Sequence, residues 1–349
     1  MKRKYLIKLT ALFLFIFATT SVIFPSQKVN ANTKSKKIEI KKYSKVYCKN
    51  ARTYLRIPTY DGSNQSNHPK VLYIPNSWNG YKYWMTYTPY PNTIPDYENP
   101  SIVASNDGFN WTMPKGLKNP IIPTPKDAKM GGHNSDPHLV LNYKNNSMEL
   151  WYRVNKGTPR RNPSSQDYIY KITSKDGIKW SKPVFVYSDK KLCISPAIIY
   201  ENNIYKMWYV SYTKKGTIIK YAESKDSIKW QNIRQVNIKL DEGCYPWHID
   251  VTKTNRGYEM LISNYYKAFG KNLLLSHAIS NDGLNFGKTI DVVVPSKGIF
   301  SWDNSIIYRS SLVQVENKYK IYYSAQDLWG RWHIGVTEMN GVANNMQSI

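Results

Sequence analysis

The chain has 349 residues, of which 41% are apolar and 14% aromatic, enough for a packed core and too much for global disorder. Three cysteines, Cys48, Cys193 and Cys244, are too few for a disulfide-built scaffold. The net charge of +25 favours polyanionic partners. Its basic residues are dispersed and carry no nucleic-acid-binding signature, so nucleic acid is not an expected partner.

Residues 1–31 read as a secretory signal. Lys2, Arg3, Lys4 and Lys8 precede an apolar run from Leu9 to Phe17, and Val29-Asn30-Ala31 offers small residues for cleavage. Export to the outside or to the cell wall is therefore expected. With the five cations of the leader removed, +20 of the +25 remains. No later segment is apolar for the ~20 residues a spanning helix needs, so no membrane span is expected after cleavage.

The rest of the chain is a fivefold repeat. The first unit opens with His68-Pro69-Lys70-Val71-Leu72, continues with the aromatic strand Tyr81–Tyr87, and closes on Ser105-Asn106-Asp107-Gly108-Phe109-Asn110-Trp111. The second has Asp136-Pro137-His138-Leu139-Val140, then Met148–Arg153, then a turn from Ser174 to Trp180. The third has Ser195-Pro196-Ala197-Ile198-Ile199, Ile204–Val210, and a turn from Ser224 to Trp230 in which Ser227 replaces the glycine. The fourth has the divergent Trp247-His248-Ile249-Asp250-Val251, Tyr258–Ile262, and a turn from Ser280 to Phe286. The fifth has Asp303-Asn304-Ser305-Ile306-Ile307 and Tyr319–Ser324.

Tyr, Trp, Ile and Val at period two favour strands. An Asp-Gly pair supplies a tight turn because glycine takes positive φ freely. Five units of about four short strands each, with no helical periodicity between them, predict an all-β fold. It should be a five-bladed β-propeller of four-stranded antiparallel blades, which protects its sheet edges by radial repetition. No linker divides the chain, so residues 32–349 are expected to form one domain. The turn acids Asp107, Asp176, Asp226 and Asp282 recur in every copy and read as structural. Cys193 and Cys244 precede neighbouring leads, which leaves a disulfide between them open, while Cys48 reads as unpaired.

The Asp-Pro lead, aromatic strand and Ser-x-Asp-Gly-x-x-Trp turn resemble the five-bladed glycoside hydrolase superfamily of arabinanases, xylosidases and fructosidases. The segment around Tyr97-Glu98-Asn99-Pro100 also resembles uncharacterised exported or phage-associated proteins of Gram-positive bacteria. The resemblance implies an exported hydrolase acting on a cell-wall, capsular or environmental polysaccharide or oligosaccharide, anionic glycans included. A non-catalytic carbohydrate-binding propeller is the alternative. It also implies carboxylates at the heads of the innermost strands, where this chain presents His68, Asp136, Ser195, Trp247 and Asp303. His68 and Ser195 stand where the superfamily has acids.

Glycosidic hydrolysis needs one ionised and one protonated carboxyl across the bond. Asp136 is the expected ionised group, and Glu98 or Asp250 its protonated partner. Asp303 would orient substrate or tune the acid. Replacing Asp136 by Asn is expected to remove turnover and leave the melting temperature nearly unchanged. His68, His138 and His248 read as polar lining that bonds sugar hydroxyls. Arg153 and Arg309 would either grip an acidic sugar or pair with Asp136 and Asp303. Trp247 and Trp302 would stack on sugar rings, with Asn304 beside them. No metal motif of fixed spacing is present, so neither metal nor cofactor is expected.

Overall fold

The computed structural model describes residues 48–126, 132–157, 166–189, 192–266 and 271–339. The described residues all belong to one compact unit. The leader expected over residues 1–31 lies outside the described residues. No helix among those described is long and apolar enough to cross a membrane.

Five antiparallel sheets succeed one another along the chain. Blade 1 holds β1 (Ser66–Trp78), β2 (Tyr81–Pro89) and β3 (Ser101–Ser105). Blade 2 holds β4 (Gly132–Asn142), β5 (Ser147–Lys156), β6 (Asp167–Ser174) and β7 (Val184–Tyr187). Blade 3 holds β8 (Ile194–Glu201), β9 (Ile204–Thr213), β10 (Gly216–Ser224) and β11 (Gln231–Gln235). Blade 4 holds β12 (Cys244–Thr254), β13 (Gly257–Tyr266), β14 (Lys271–Ser280) and β15 (Ile290–Val293). Blade 5 holds β16 (Ile306–Val315), β17 (Lys318–Gln326) and β18 (Trp332–Glu338). The first strands β1, β4, β8, β12 and β16 touch in a closed ring, which makes the fold the predicted five-bladed propeller.

Two blades depart from the predicted four strands. In blade 1 the fourth strand shrinks to a single bridge between Ala104 and Thr112. In blade 5 the segment before β1 approaches the outer edge, where Leu55 N–H donates to Ile334 carbonyl. That contact joins the start of the described chain to its last strand and helps to close the ring.

The core is divided among five wedges, one per gap between blades. Val71, Met85 and Tyr87 of blade 1 meet Val313, Tyr322 and Ile334 of blade 5. Trp84 and Ile102 meet Leu139, Leu150 and Ile172 of blade 2, and comparable clusters fill the other three gaps. Trp84, Trp151 and Trp208 are fully buried. Large rings suit these gaps because each widens outward and needs volume at mid-blade.

The Asp-Gly turns occupy successive blades, each directly after the third strand. In the first, Asp107 Oδ1 accepts bonds from the N–H groups of Phe109 and Asn110, and Ser105 Oγ accepts from that of Gly108. The other three copies hold their aspartates the same way. The glycine has a further task. Gly177 has φ +76, and a Cβ there would lie 2.4 Å from the Trp84 ring of the preceding blade. Gly283 repeats this against Trp208, whose Nε1 donates to the Gly283 carbonyl at 2.7 Å. In blade 3, Ser227 holds φ 64 instead. There the neighbouring Trp151 turns its Nε1 to Glu149, and Lys171 binds the Ser227 hydroxyl at 2.7 Å. The turn is thus a device that locks each blade onto the last.

All three cysteines are buried and none is in a disulfide, so the bridge left open for Cys193 and Cys244 does not form. Cys193 Sγ instead accepts the N–H of Asp189.

Candidate functional site

Each innermost strand carries an irregularity near its head. The register of β1 slips between Asn67 and Lys70, that of β4 between Ser135 and His138, and that of β8 between Ile194 and Ala197. His68, Asp136 and Ser195 sit in these bulges with φ of 53, 50 and 55, and each is succeeded by proline. A bulge frees residues from ladder pairing and re-aims their side chains. Proline is tolerated there because the position needs no ladder donor. Non-glycine residues at such φ cost on the order of 1 kcal/mol each, so the surrounding packing must hold them.

In blades 4 and 5 the slips fall between Pro246 and His248 and between Ile307 and Ser310. The fifth blade therefore presents Tyr308 and Arg309 at the level of His68. Asp303, the residue expected there, lies outside β16 and five residues earlier. The aromatic-poor stretch Asp303–Ile307 mimics the lead pattern, and only strand pairing reveals the offset.

Asp136 is the centre of the site and is fully buried. Its Oδ2 lies 2.9 Å from Arg153 Nε. Its Oδ1 lies 3.1 Å from His248 Nδ1, 3.5 Å from Arg309 Nη1 and 3.9 Å from His68 Nε2. Burial alone would raise its pKa, but Arg153, then His248 and His68, outweigh it and hold the carboxyl well below the usual range. Burial drives His68 well below an ordinary imidazole and lowers His248, although Asp136 opposes both shifts. Both rings are therefore neutral near pH 7.

His68 is held through Nδ1, which meets Thr88 Oγ1 at 2.9 Å. Arg153 is held by Asp167, with both carboxylate oxygens at 3.3 Å. Asp167 in turn receives Asn155 and the N–H of Cys193. Nothing local in the sequence marks Asp167 as part of the site.

Glu98 lies in the loop of blade 1 and is 4% exposed. Its Oε2 is 3.9 Å from His133 Nε2. Burial, then the Asp136 charge, pushes its carboxyl up to about 8, against the pull of Arg153 and Ser135. The buried cluster thus sets an ionised Asp136 near a carboxyl whose pKa is raised to about 8.

Tyr308 packs its ring 4.2 Å from that of His248 and 5.5 Å from that of His68. Its hydroxyl accepts Trp247 Nε1 at 3.0 Å. Trp332 lies 5.1 Å from Tyr308 and 5.6 Å from Tyr90. These rings surround the polar centre. The lead pattern marks Trp247, whereas Tyr90, Tyr308 and Trp332 are hidden among twenty-nine tyrosines and eleven tryptophans.

The other expected site residues have partners of their own. Asp250 pairs with Lys70 at 2.7 Å and accepts the N–H of Leu312 at 3.1 Å. It thereby joins blades 1, 4 and 5. His138 Nε2 meets the backbone of Ile198 in blade 3. Ser195 Oγ bridges the N–H and carbonyl of Ile249 in blade 4, so the hydroxyl at this acid-type position staples two blades. Asp303 accepts Asn50 and Tyr323, Trp302 is buried with its Nε1 on the Ala51 carbonyl, and Asn304 ties down the loop at Gly298 and Ile299. Arg309 does pair with an acid, but with Asp136 and not Asp303.

The three atoms His68 Nε2, an Asp136 oxygen and a His248 ring nitrogen lie within 4.8 Å of one another. His68 Nε2 and His248 Nε2 are buried without a hydrogen-bond partner. Two neutral imidazoles and one carboxylate, with unused nitrogen atoms, form a donor set suited to a divalent transition ion.

The fold is a five-bladed β-propeller of the glycoside-hydrolase-like kind. Its centre is a cluster of carboxylate and histidine side chains. The chain is similar to a thermostable family-43 glycoside hydrolase, with TM-score 0.55, 15% identity, and coverage of 78% of this chain and 89% of that one. An arabinanase of Bacillus subtilis gives TM-score 0.54 at 12% identity, covering 83% and 97%. A crystal structure of an N-acetylgalactosamine deacetylase from F. plautii, in complex with blood group B trisaccharide, gives 0.75 at 24% identity, covering 84% and 95%. In sequence, the chain is 30% identical over 295 residues to the A type blood N-acetyl-alpha-D-galactosamine deacetylase of Flavonifractor plautii. That alignment covers 71% of this chain, and the chain spans only 37% of the relative's length. No family model matches the chain.

Proposed function

We propose that this protein is a metal-dependent carbohydrate deacylase that removes the N-acetyl group of an amino sugar presented on an extracellular glycan. The observation that carries the reading is the convergence of His68, Asp136 and His248 from three blades, with buried ring nitrogens left unbonded. The deacetylase relative shares the fold and, over 295 residues, 30% of its sequence. The export expected from residues 1–31 fits such a substrate.

A divalent ion bound by these three residues would polarise the acyl carbonyl. Arg153 fixes Asp136 by its Oδ2 and leaves Oδ1 toward the imidazoles. The neutral state of both histidines leaves a lone pair available at the binding nitrogen. Glu98 is the proton carrier. Its carboxyl titrates near 8, so the ionised fraction can take a proton from the attacking water and the resulting acid can give it to the departing amine. Water adds to the carbonyl carbon, the C–N bond breaks, and acetate and the free amine leave. The rings of Tyr308 and Trp332 give the sugar an apolar wall.

Glycosidic hydrolysis is the second reading. The opposed charge states of Asp136 and Glu98 favour it, because that chemistry needs one ionised and one protonated carboxyl.

One experiment separates the two. The purified protein is incubated with N-acetylgalactosamine-terminated oligosaccharides, and acetate and reducing ends are assayed in parallel. Acetate release that is lost on chelation and restored by a divalent ion supports the deacylase. Reducing-end release insensitive to chelation overturns it in favour of the glycosidase.

A further inference from the structure

The face that bears the pocket also carries a rigid apolar tip that deacylation does not use. Two loops of blade 5 build it. In one, Ile299 and Phe300 are 63% and 83% exposed, and in the other, Leu328 and Trp329 are 61% and 56% exposed. The Phe300 and Trp329 rings stack, with centroids 6.2 Å apart and planes 13° from parallel. Four large apolar side chains held together in water are costly, and a patch of this kind marks a contact surface.

The tip is built in advance. Asp327 is buried and its Oδ1 accepts the N–H groups of Trp329 and Arg331. Asn304 joins the loops, donating to the carbonyls of Gly298 and Ile299 and accepting the N–H of Leu328. Nothing in these bonds requires the apolar side chains to point outward.

Its position and charge indicate what it meets. Gln326, at the end of β17, pairs with Ile306 at the head of β16, so the loop after it stands at the same end as the bulges. Trp332, just beyond the loop, packs on Tyr308 of the pocket. The loops expose cations and no acid. Lys297 is exposed, Arg331 lies over the Trp329 ring, and Asp303 and Asp327 are only 1% and 2% exposed. The whole chain is strongly basic at +25.

We propose that this tip docks the pocket-bearing face on an anionic lipid bilayer, with Phe300, Trp329, Leu328 and Ile299 entering the interface and Lys297 and Arg331 at the headgroups. Tryptophan at the headgroup level, aliphatic side chains deeper and flanking cations form the usual interfacial combination. Aliphatic side chains at the apex favour a lipid phase over a sugar platform, which uses ring faces. Docked so, the pocket opens toward glycans carried close to the membrane.

The test is quenching of tryptophan fluorescence by brominated phospholipid. Vesicles of equal parts phosphatidylcholine and phosphatidylglycerol are compared with pure phosphatidylcholine. Residues 1–47 contain no tryptophan, so quenching in the full chain reports on the propeller alone. The expected result is quenching on anionic vesicles that weakens with salt and is lost in Trp329→Ala. Phe300→Ala/Leu328→Ala keeps the reporter ring and should need at least about tenfold more lipid for half-quenching. Circular dichroism and melting temperature establish that both variants fold, as expected for loop-tip changes. Absence of quenching in the parent, equal quenching in Trp329→Ala, or equal quenching on neutral vesicles overturns the proposal. So does Trp329-dependent retention on a polysaccharide gel without quenching, or Trp329-dependent dimerisation without it. Because no activity is read, failure of the deacylase reading leaves this result untouched.

Discussion

The two ends of the propeller obey different rules. At the turn end the same residues recur, and so do their bonds. Asp107, Asp176, Asp226 and Asp282 each bond two backbone N–H groups, and glycines seat the rings of the neighbouring blade. At the lead end the five equivalent positions hold His68, Asp136, Ser195, Trp247 and Tyr308, and no two are alike. One end is repeated because each blade meets the next in the same way. The other varies because five side chains share one axis and must supply different chemistry there. In a repeat fold, identity between copies marks assembly, and divergence at a shared geometry marks the site.

That contrast can be broken first at the lead end, where the largest effects are expected. His68→Ala and His248→Ala should each lower acetate release by about a thousandfold or more, on the scale of lost electrostatic stabilisation at an active site, with bound metal measured alongside. Asp136→Asn should lower it as much. It should also destabilise the fold by about 3–5 kcal/mol, because the buried Arg309 loses its paired carboxylate and Arg153 keeps only Asp167. Chemical denaturation checks the second effect. From sequence alone this substitution is expected to spare stability, and Arg153 and Arg309 are the reason it should not.

The turn end should behave in the opposite way. Gly177→Ala forces a Cβ at positive φ to within 2.4 Å of the Trp84 ring. A loss of about 2–4 kcal/mol is expected from strain and overpacking together, with turnover unchanged below the lowered melting temperature. If turnover falls while stability holds, the division between the two ends fails.

Glu98 sharpens the comparison through pH. Its folded pKa of about 8 lies above its ordinary value of 4.5. The folded protein therefore binds more protons than the unfolded chain between these values. Stability from this group is full below 4.5 and is lost as pH rises through about 8. Glu98→Gln should flatten that decline, seen in melting temperatures measured from pH 5 to pH 9. In the same variant, the residual rate should lose its inflection near 8 while the neighbouring His133 remains in place.

The smallest effect is expected at Ser227. Its φ of 64 suits glycine, yet its hydroxyl binds Lys171. Ser227→Gly should therefore change stability by less than about 1 kcal/mol, since relief of strain and loss of one partly buried bond oppose each other. A large loss would mean that blade 3 depends on this hydroxyl as the others depend on their ring contacts.

Much of the architecture can be read in the sequence because it is local and repeated. Period-two aromatic strands, Asp-Gly turns and proline-marked leads depend on φ preferences and side-chain alternation within a few residues. Five copies of that grammar leave few folds other than a propeller. The importance of His68, Asp136 and His248 as positions is legible for the same reason. What each lead residue meets is not, because the partners lie on other blades. In sequence Asp250 has the look of a pocket acid, but Lys70, 180 positions away, is bonded to it. Asp303 matches the lead by pattern, yet strand register puts Tyr308 and Arg309 at that level. The metal-type donor set has no spacing motif because its members come from residues 68, 136 and 248. Local conformational preference wrote the blades, and ring closure alone decided which of their side chains share the axis.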